Sequence, residues 1–545
     1  MPAMAGGTDS HSERRHFFAA AKLIAVITVG SRIGGLVRDM LLSRFFGASG
    51  LTSFFWTAWS IPNFFRRLFG EGALSAAFVP VFSEMHERSG LEVAAALLAN
   101  VLALLTVVLT ALCVVIEVGL LIAYLVNPDA SGAILLRFVA IMMPFMITIC
   151  LVALGSAALN CVGHFAYPAA APIILNVVTI TLALVAHAAF DDRAGQLTAL
   201  AWSMPLTGAA QLAGLVWVLR AHNLPYLPRL RPLQPGVKRI LLAMGPMMIP
   251  LGILQVNALL DKFIALGFSG AVGDGITVFG RTFDKPLEAG AVTWMNYGER
   301  LYQFPMGVLA ISLATAVFPL FSRYAARDDL ANLRLSVNQA IRLAIFEGLP
   351  SGVGLMVLGG PLVALLFGGG DYGTADVRQT AHVVWFYGLG MWAFCSQHIV
   401  LRAFYAMDDR KTPLKVACSV VALNFLLNLV FIWFPAIRHG AFGLSSSITQ
   451  GLNVVILASV LRRRLGPGVL KDLLTSVIRT AVAAAVMALA VYGARGGLTA
   501  VGLGAPLWGV AGGVVAGVAS FAGVAWLLRA PEVGELLGLR RAARK

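Results

Sequence analysis

Charged residues are scarce in this chain. Asp, Glu, Lys and Arg make up only 12% of its 545 residues, against about 25% in soluble globular domains. That excludes a water-soluble enzyme. Cysteine is scarce as well. The five present (Cys113, Cys150, Cys161, Cys395 and Cys418) stand singly in apolar segments, with no CxxC pair and no histidine at ligand spacing. Neither a disulfide framework nor a metal site is indicated. The nine histidines form no cluster, and acidic residues are few, 26 against 41 basic. In a soluble protein that basic excess would favour nucleic acid. Here most of it lies in loops, where it is the topology signal of a membrane protein, and no nucleic-acid partner is expected. The first apolar run has no small-residue cleavage site after it, so no removed signal peptide is expected.

What is abundant is apolar sequence: 59% of the residues are hydrophobic and the mean hydropathy is +0.82. Apolar stretches long enough to cross a bilayer, at roughly 20 residues each, recur from Phe17 to Leu528 with short polar gaps. We read about 14 transmembrane helices, at 17–46, 51–84, 92–126, 134–162, 168–190, 195–220, 236–268, 290–324, 333–368, 378–407, 411–435, 440–464, 472–494 and 504–529. Basic residues gather in alternate loops, as in Arg229, Arg231, Lys238 and Arg239 or Arg462, Arg463 and Arg464. The bias is roughly four to one, and it predicts both termini on the cytoplasmic side and an even helix count.

The chain also repeats itself. Leu74-Ser-Ala-Ala-Phe-Val-Pro80-Val-Phe-Ser83 returns 239 residues later as Leu313-Ala-Thr-Ala-Val-Phe-Pro319-Leu-Phe-Ser322. Ala158 and Pro168 return as Ala403 and Pro413. An offset of six helices is even, so the halves run in the same direction, as in transporters built from parallel repeats around a central cavity. The fold class is therefore an all-α polytopic membrane protein with two parallel six-helix lobes and two extra C-terminal helices. The expected segments are an N-terminal cytoplasmic tail (1–16), an N-lobe (17–220), a basic linker (221–235), a C-lobe (236–464), the extra helices (465–530) and a basic tail (531–545).

Several predicted spans carry charge. An Arg, Lys or Asp at a helix centre costs about 2.5–3.5 kcal/mol on insertion scales, so each needs a partner, a wet cavity or a ligand. The first span holds Arg32, Gly34, Gly35, Arg38 and Asp39; the paired glycines weaken the helix and permit close backbone approach. The second holds Pro62, Asn63, Arg66, Arg67 and Glu71 between Pro and Gly breaks, the pattern of a broken helix lining a polar site. Arg67 and Glu71, four residues apart, can neutralise each other. The eighth holds Glu299 and Arg300 shortly before Pro305. Arg32, Arg38, Arg66 and Arg300 have few carboxylates near them in sequence. They either pair internally with Asp39 and Glu71 or face a phosphate- or carboxylate-bearing substrate, which guanidinium recognises bidentately. A second polar set, Gln255, Asn257 and Asp261 with Asn424 and Asn428, fits either a hard monovalent cation or interhelical hydrogen bonding.

These segments together resemble a known family. Ser31-Arg32 through Arg38-Asp39, Phe46-Gly47-Ala48, Ile61-Pro62-Asn63, Arg66-Arg67, Glu71-Gly72-Ala73 and Ala77-Phe78-Val79-Pro80 are similar to the MurJ/MviN lipid II flippases of bacterial peptidoglycan synthesis. Those proteins belong to the multidrug/oligosaccharidyl-lipid/polysaccharide exporter superfamily. The likeness continues through Leu159-Asn160, Pro172, Asn176, Arg300-Leu301, Phe304-Pro305, Phe404-Tyr405 and Lys411-Thr412-Pro413. It implies a transporter, not an enzyme, that moves undecaprenyl-pyrophosphate-linked disaccharide-pentapeptide from the inner to the outer leaflet. The family's cavity arginines would be Arg32, Arg38, Arg66 and Arg300, and the last two helices would form a groove for the lipid tail. It implies no cofactor, membrane lipids and cell-wall synthesis proteins as partners, and coupling to the membrane potential or to a Na+ or H+ gradient. Ser53 and Asn428 stand where some members carry an acidic residue. The alternatives are a flippase for another polyprenyl-linked oligosaccharide, or a membrane enzyme acting on such lipids.

Overall fold

The computed structural model describes residues 9–70, 72–126, 132–224, 227–271, 273–278 and 281–536. Fourteen long helical rods follow one another. These are α1 (Asp9–Phe46), α2 (Gly50–Phe65, continued by Arg66–Gly70 and Ala73–Ser89), α3 (Leu91–Val126), α4 (Ala133–Cys161), α5 (Ala166–Ala189), α6 (Arg193–Ala221) and α7 (Pro235–Gly267). The second series is α8 (Ala291–Ala326), α9 (Leu330–Leu366), α10 (Thr374–Leu389 and Met391–Ala406), α11 (Lys411–Phe431), α12 (Arg438–Leu465), α13 (Pro467–Ala500) and α14 (Pro506–Leu527). A short helix, α15 (Pro531–Leu536), ends the described chain. Among the described residues ten rods are long and apolar enough to cross a membrane by composition alone. The other four are α1, α2, α7 and α10. Three of these carry the polar groups singled out in the sequence.

The chain divides into two compact units, residues 1–46 with 51–259, and residues 47–50 with 260–545. The division falls inside α7, not in the 221–235 segment before it. The reason is packing. Val237 and Ile240 on the first turns of α7 are buried in the same core as Phe78, Phe82, Leu97 and Leu98 of α2 and α3. The segment before α7 is also tied down. Buried Asn100 on α3 donates through Nδ2 to the Arg229 carbonyl at 2.7 Å and accepts from the Gln234 N–H at 2.8 Å.

The halves repeat in detail. In α2 the backbone widens into a π-helical turn at Arg66–Gly70, and in α8 it does so at Met306–Ala310, 240 residues on. Each turn follows a proline, Pro62 or Pro305, which lacks the N–H that an α-helix needs there. The turn after α4 uses Gly163 at φ +82°, and the matching turn after α10 uses Asp408 at φ +54°.

Both chain ends depart from the expected tails. α1 starts at Asp9, within the 1–16 stretch, and no Gly or Pro interrupts the sequence between Asp9 and Gly30. The 531–545 stretch opens with α15, whose buried Glu532 accepts from Arg342 Nε on α9 at 2.8 Å and from Ser476 Oγ on α13 at 2.7 Å. The rest of that stretch lies outside the described residues. α13 and α14 pack on α9 through small residues; a Cβ on Gly513 would meet Leu358 Cδ2 at 2.6 Å. Between α7 and α8 lie four short strands: β1 (Ser269–Gly270), β2 (Gly275–Val278), β3 (Arg281–Asp284) and β4 (Leu287–Glu288). β2 and β3 form an antiparallel hairpin, and β1 pairs with β4 in parallel.

Candidate functional site

In the first unit the charges singled out in the sequence lie on α1 and α2. Arg38 and Asp39 are both buried, at 6% and 4% exposure. Arg38 donates from Nε and Nη2 to Asp39 Oδ1 at 2.9 and 2.7 Å, and from Nη1 to Asn176 Oδ1 on α5 at 3.2 Å. Its guanidinium also lies 5.8 Å from the ring centre of Trp59 on α2. Charge-assisted bonds of this kind contribute about 1.5–3 kcal/mol each, and this set offsets the desolvation of a buried cation. Asn176 holds α5 against α1, donating through Nδ2 to the Ser31 carbonyl at 2.9 Å. The approach is close: a Cβ on Gly34 would meet Asn176 Nδ2 at 3.2 Å, tighter than ordinary van der Waals contact. Gly35 is less tightly placed, at 3.8 Å.

Arg32, six residues earlier on the same helix, is exposed and has no hydrogen bond or ion pair among the described residues. Arg66 is half-buried at the start of the π-turn and donates from Nε to Asn63 Oδ1 at 3.0 Å. Asn63 in turn donates to the Trp59 carbonyl at 2.8 Å, and Ser75 Oγ to the Gly70 carbonyl at 2.6 Å. These side-chain bonds add to the backbone ladder on either side of the π-turn. Arg67 is exposed, with Nη1 3.2 Å from Gln255 Oε1 on α7. Glu71, its sequence-predicted partner, lies outside the described residues.

In the second unit the polar interior has a different composition. Asn428 on α11 donates through Nδ2 to Asp261 Oδ1 on α7 at 2.7 Å and to Asn424 Oδ1 at 3.1 Å. Asn424 reaches Thr449 Oγ1 on α12 at 3.4 Å. All four are buried. The predicted set of Asp261, Asn424 and Asn428 is therefore brought together, joined by Thr449. Two further groups extend it. Tyr387 on α10 donates to Glu299 Oε1 on α8 at 3.4 Å, and Glu299 and Lys262 both act electrostatically on Asp261. Arg300, one residue on from Glu299 and so turned about 100° around the helix, is exposed. No group of three or more His, Cys, Asp or Glu side chains with metal-binding geometry occurs among the described residues.

The first unit supplies guanidinium groups on α1 and α2, of which Arg38 and Arg66 are held by side-chain bonds, and guanidinium suits recognition of a phosphorylated or carboxylated group. The second unit carries Arg300 on α8. Neither offers a nucleophile–base pair among these residues. Sequence reasoning did not single out Trp59, Tyr387 or Thr449. Tyr and Trp inside an apolar run read as packing, and only their long-range contacts give them away.

Comparison with known proteins bears on this arrangement. The family model described as "Lipid II flippase MurJ" matches residues 42–509. A lipid II flippase MurJ of Burkholderia cenocepacia is 32% identical over 462 residues, covering 82% of this chain and 84% of that protein. A probable lipid II flippase MurJ of Vibrio cholerae is 30% identical over 488 residues, covering 85% and 86%. Among solved structures, a lipid II flippase MurJ in an inward closed conformation aligns with a TM-score of 0.70 at 22% identity, over 93% of this chain and 99% of that one. An inward-facing multidrug resistance MATE family transporter aligns with a TM-score of 0.62 at 13% identity, over 82% and 98%. These two likenesses concern the fold.

Proposed function

The chain belongs to the MurJ lipid II flippase family, and from that premise we propose that it carries lipid II from the inner to the outer leaflet of the bacterial inner membrane. It is a multi-pass membrane transporter. The observation that carries the reading is the family match over 42–509 together with arginines inside the long helices α1, α2 and α8.

In this mechanism Arg32 and Arg66, with exposed or half-exposed guanidiniums, take the pyrophosphate first. Arg38 is held by Asp39 and Asn176, so it contributes field and position and releases a bond to the ligand only by exchanging one of these partners. Arg300 adds a further cation from α8. The head group is bound without covalent chemistry, and α13 and α14 guide the polyprenyl tail. Access alternates between leaflets, and the π-turns at Arg66–Gly70 and Met306–Ala310 are where α2 and α8 yield. Wide turns of this kind recur at functional sites. Both termini lie in the cytoplasm on this reading, supported by the gathering of Arg462, Arg463, Arg464 and Lys471 at one set of loops. No cofactor takes part. The drive comes from the membrane potential or from a Na+ or H+ gradient; collapsing each separately with ionophores distinguishes them.

The test is complementation in a bacterium depleted of its own lipid II flippase, with membrane levels checked by blot. Wild type restores growth; Arg66→Ala and Arg38→Ala do not. Rescue by both variants at wild-type level would remove the arginines from the mechanism. Failure of well-inserted wild type would move the assignment to another polyprenyl-linked substrate.

A further inference from the structure

Between α7 and α8 stands a hairpin that the transport site does not use. β2 and β3 pair with each other and with no further strand among the described residues, and all four residues of β3 are exposed. A two-stranded hairpin with so little cover is marginal in water. Its register gives it two unlike faces. Ile276 stands opposite Phe283, and directly opposed residues share a face. Side chains alternate along a strand, so Arg281 joins Phe283 on that face while Thr282 and Asp284 take the other.

The apolar face continues into a patch of aromatic rings. Phe283 meets Trp433 edge-on at 6.0 Å between ring centres, and Phe268 meets the same Trp433 at 5.9 Å. Phe283, Trp433 and the adjoining Phe434 are nevertheless 45%, 40% and 51% exposed, so the protein leaves much of the patch uncovered. Its level along the helices says what covers it. The 21 residues of α11, an apolar span, rise about 31 Å, which matches a hydrocarbon core of about 30 Å. Trp433 and Phe434 follow the last residues of α11, and Phe268 follows the last residue of α7. The patch therefore lies where hydrocarbon gives way to head groups, the level at which tryptophan gathers in membrane proteins.

We infer that the β2–β3 hairpin is a membrane-surface anchor, laid flat on the bilayer beside the second unit. Ile276 and Phe283 enter the interfacial layer with Trp433 and Phe434. Arg281, on the same face, extends its guanidinium to the lipid phosphates, as long basic side chains do at this depth. Thr282 and Asp284 stay in water. The inference needs only that the chain spans a membrane, and it holds whatever the protein carries.

Spin labels placed singly along β3 of the full-length protein in lipid vesicles test this face by face, once the exposed native Cys418 is replaced by Ser. Collisions with molecular oxygen, which dissolves in lipid, exceed those with a water-soluble nickel chelate at Arg281→Cys and Phe283→Cys. The order reverses at Thr282→Cys and Asp284→Cys. Arg281 and Thr282 are exposed neighbours on opposite faces, so labels there leave the fold alone and carry the comparison if Phe283→Cys disturbs the hairpin. Ready access of the nickel chelate at all four positions would mean that the hairpin stands clear of the bilayer, and would overturn the inference. Poor access of both reagents at 281 and 283 would place protein on this face, a second copy or another chain, and would overturn it too. So would an alternation of the opposite phase, with lipid on the side of Thr282 and Asp284.

Discussion

The two units bridge the same pair of repeat-related helices with opposite charge. In the first, α1 meets α5 through Arg38 and Asn176; in the second, α7 meets α11 through Asp261 and Asn428. Both bridges are buried charge–amide bonds on one scaffold, and both scaffolds carry a proline followed by a π-turn in the next helix of the series. What differs is how the charge is balanced. Arg38 has a carboxylate beside it in sequence, Asp39, whereas Asp261 has Lys262 beside it and the carboxylate of Glu299 acting against it. The backbone plan was kept while the chemistry diverged, so a substitution at equivalent places should not have equivalent effects.

The largest effect is expected at Asp39. Asp39→Asn leaves the Arg38 cation buried without its counter-charge, and breaking one side of such a pair costs about 3–5 kcal/mol. Thermal unfolding in detergent should show it, and the double variant Arg38→Gln with Asp39→Asn should recover most of the loss because no lone charge remains. If the double variant is as unstable as the single, packing and not charge balance governs the site. Asp261→Asn is the counterpart. An Asn there still presents an oxygen to Asn428 Nδ2, and it removes a negative charge that Glu299 opposes. Stability should move by no more than about 1 kcal/mol, while flippase complementation falls if Asp261 serves coupling. A loss as large as that of Asp39→Asn would erase the distinction between the units.

How much of this was legible in the sequence depends on range. Helix number and the repeat follow from apolar length and from two short matches, because hydropathy is a property of contiguous residues. Arg32, Arg38, Arg66 and Arg300 stand out because a charge in an apolar run is costly without a partner, a wet cavity or a ligand, and for Arg38 the partner is its neighbour in sequence, Asp39. The partners were less legible. Asn176 lies 138 residues from Arg38, and Gln255 lies 188 from Arg67; neither distance leaves a local trace. Pro62 and Pro305 signal a break, but that the break takes π geometry depends on what the neighbouring helices leave room for. Gly70 packs against Ala153 and Cys150 of α4, for instance. The boundary inside α7 was hidden for the same reason: Val237 and Ile240 look like any membrane residues until their neighbours are known.

The subtlest difference between the units lies in the turns that lead into α5 and α11, and it is one of pH. At equivalent positions, 245 residues apart, stand His164 and Asp409. His164 Nε2 accepts from the Tyr167 N–H at 3.4 Å, and Asp409 Oδ1 accepts from the N–H groups of Lys411 and Thr412, each at 3.0 Å. Desolvation, helped by His222 at 4.5 Å between ring centres, holds His164 below its ordinary value of 6.5. Burial pushes the Asp409 carboxyl up, but its bonds with Thr412 and Arg464 outweigh this and hold it below its ordinary 3.8. Both groups are depressed by folding, so each stabilises its turn above its ordinary value and ceases to as pH falls through the lower folded one. The first unit's turn therefore weakens once pH drops below about 6.5, and the second only below about 3.8. Hydrogen exchange at pH 7 and pH 5, corrected for intrinsic rate, should show faster opening in peptides covering 158–172 and no change in those covering 403–417. His164→Asp should abolish the pH 5 response of the first turn. Equal responses in the two peptides would mean that these side chains do not set the stability of the turns, and that the repeat is as alike in its chemistry there as in its backbone.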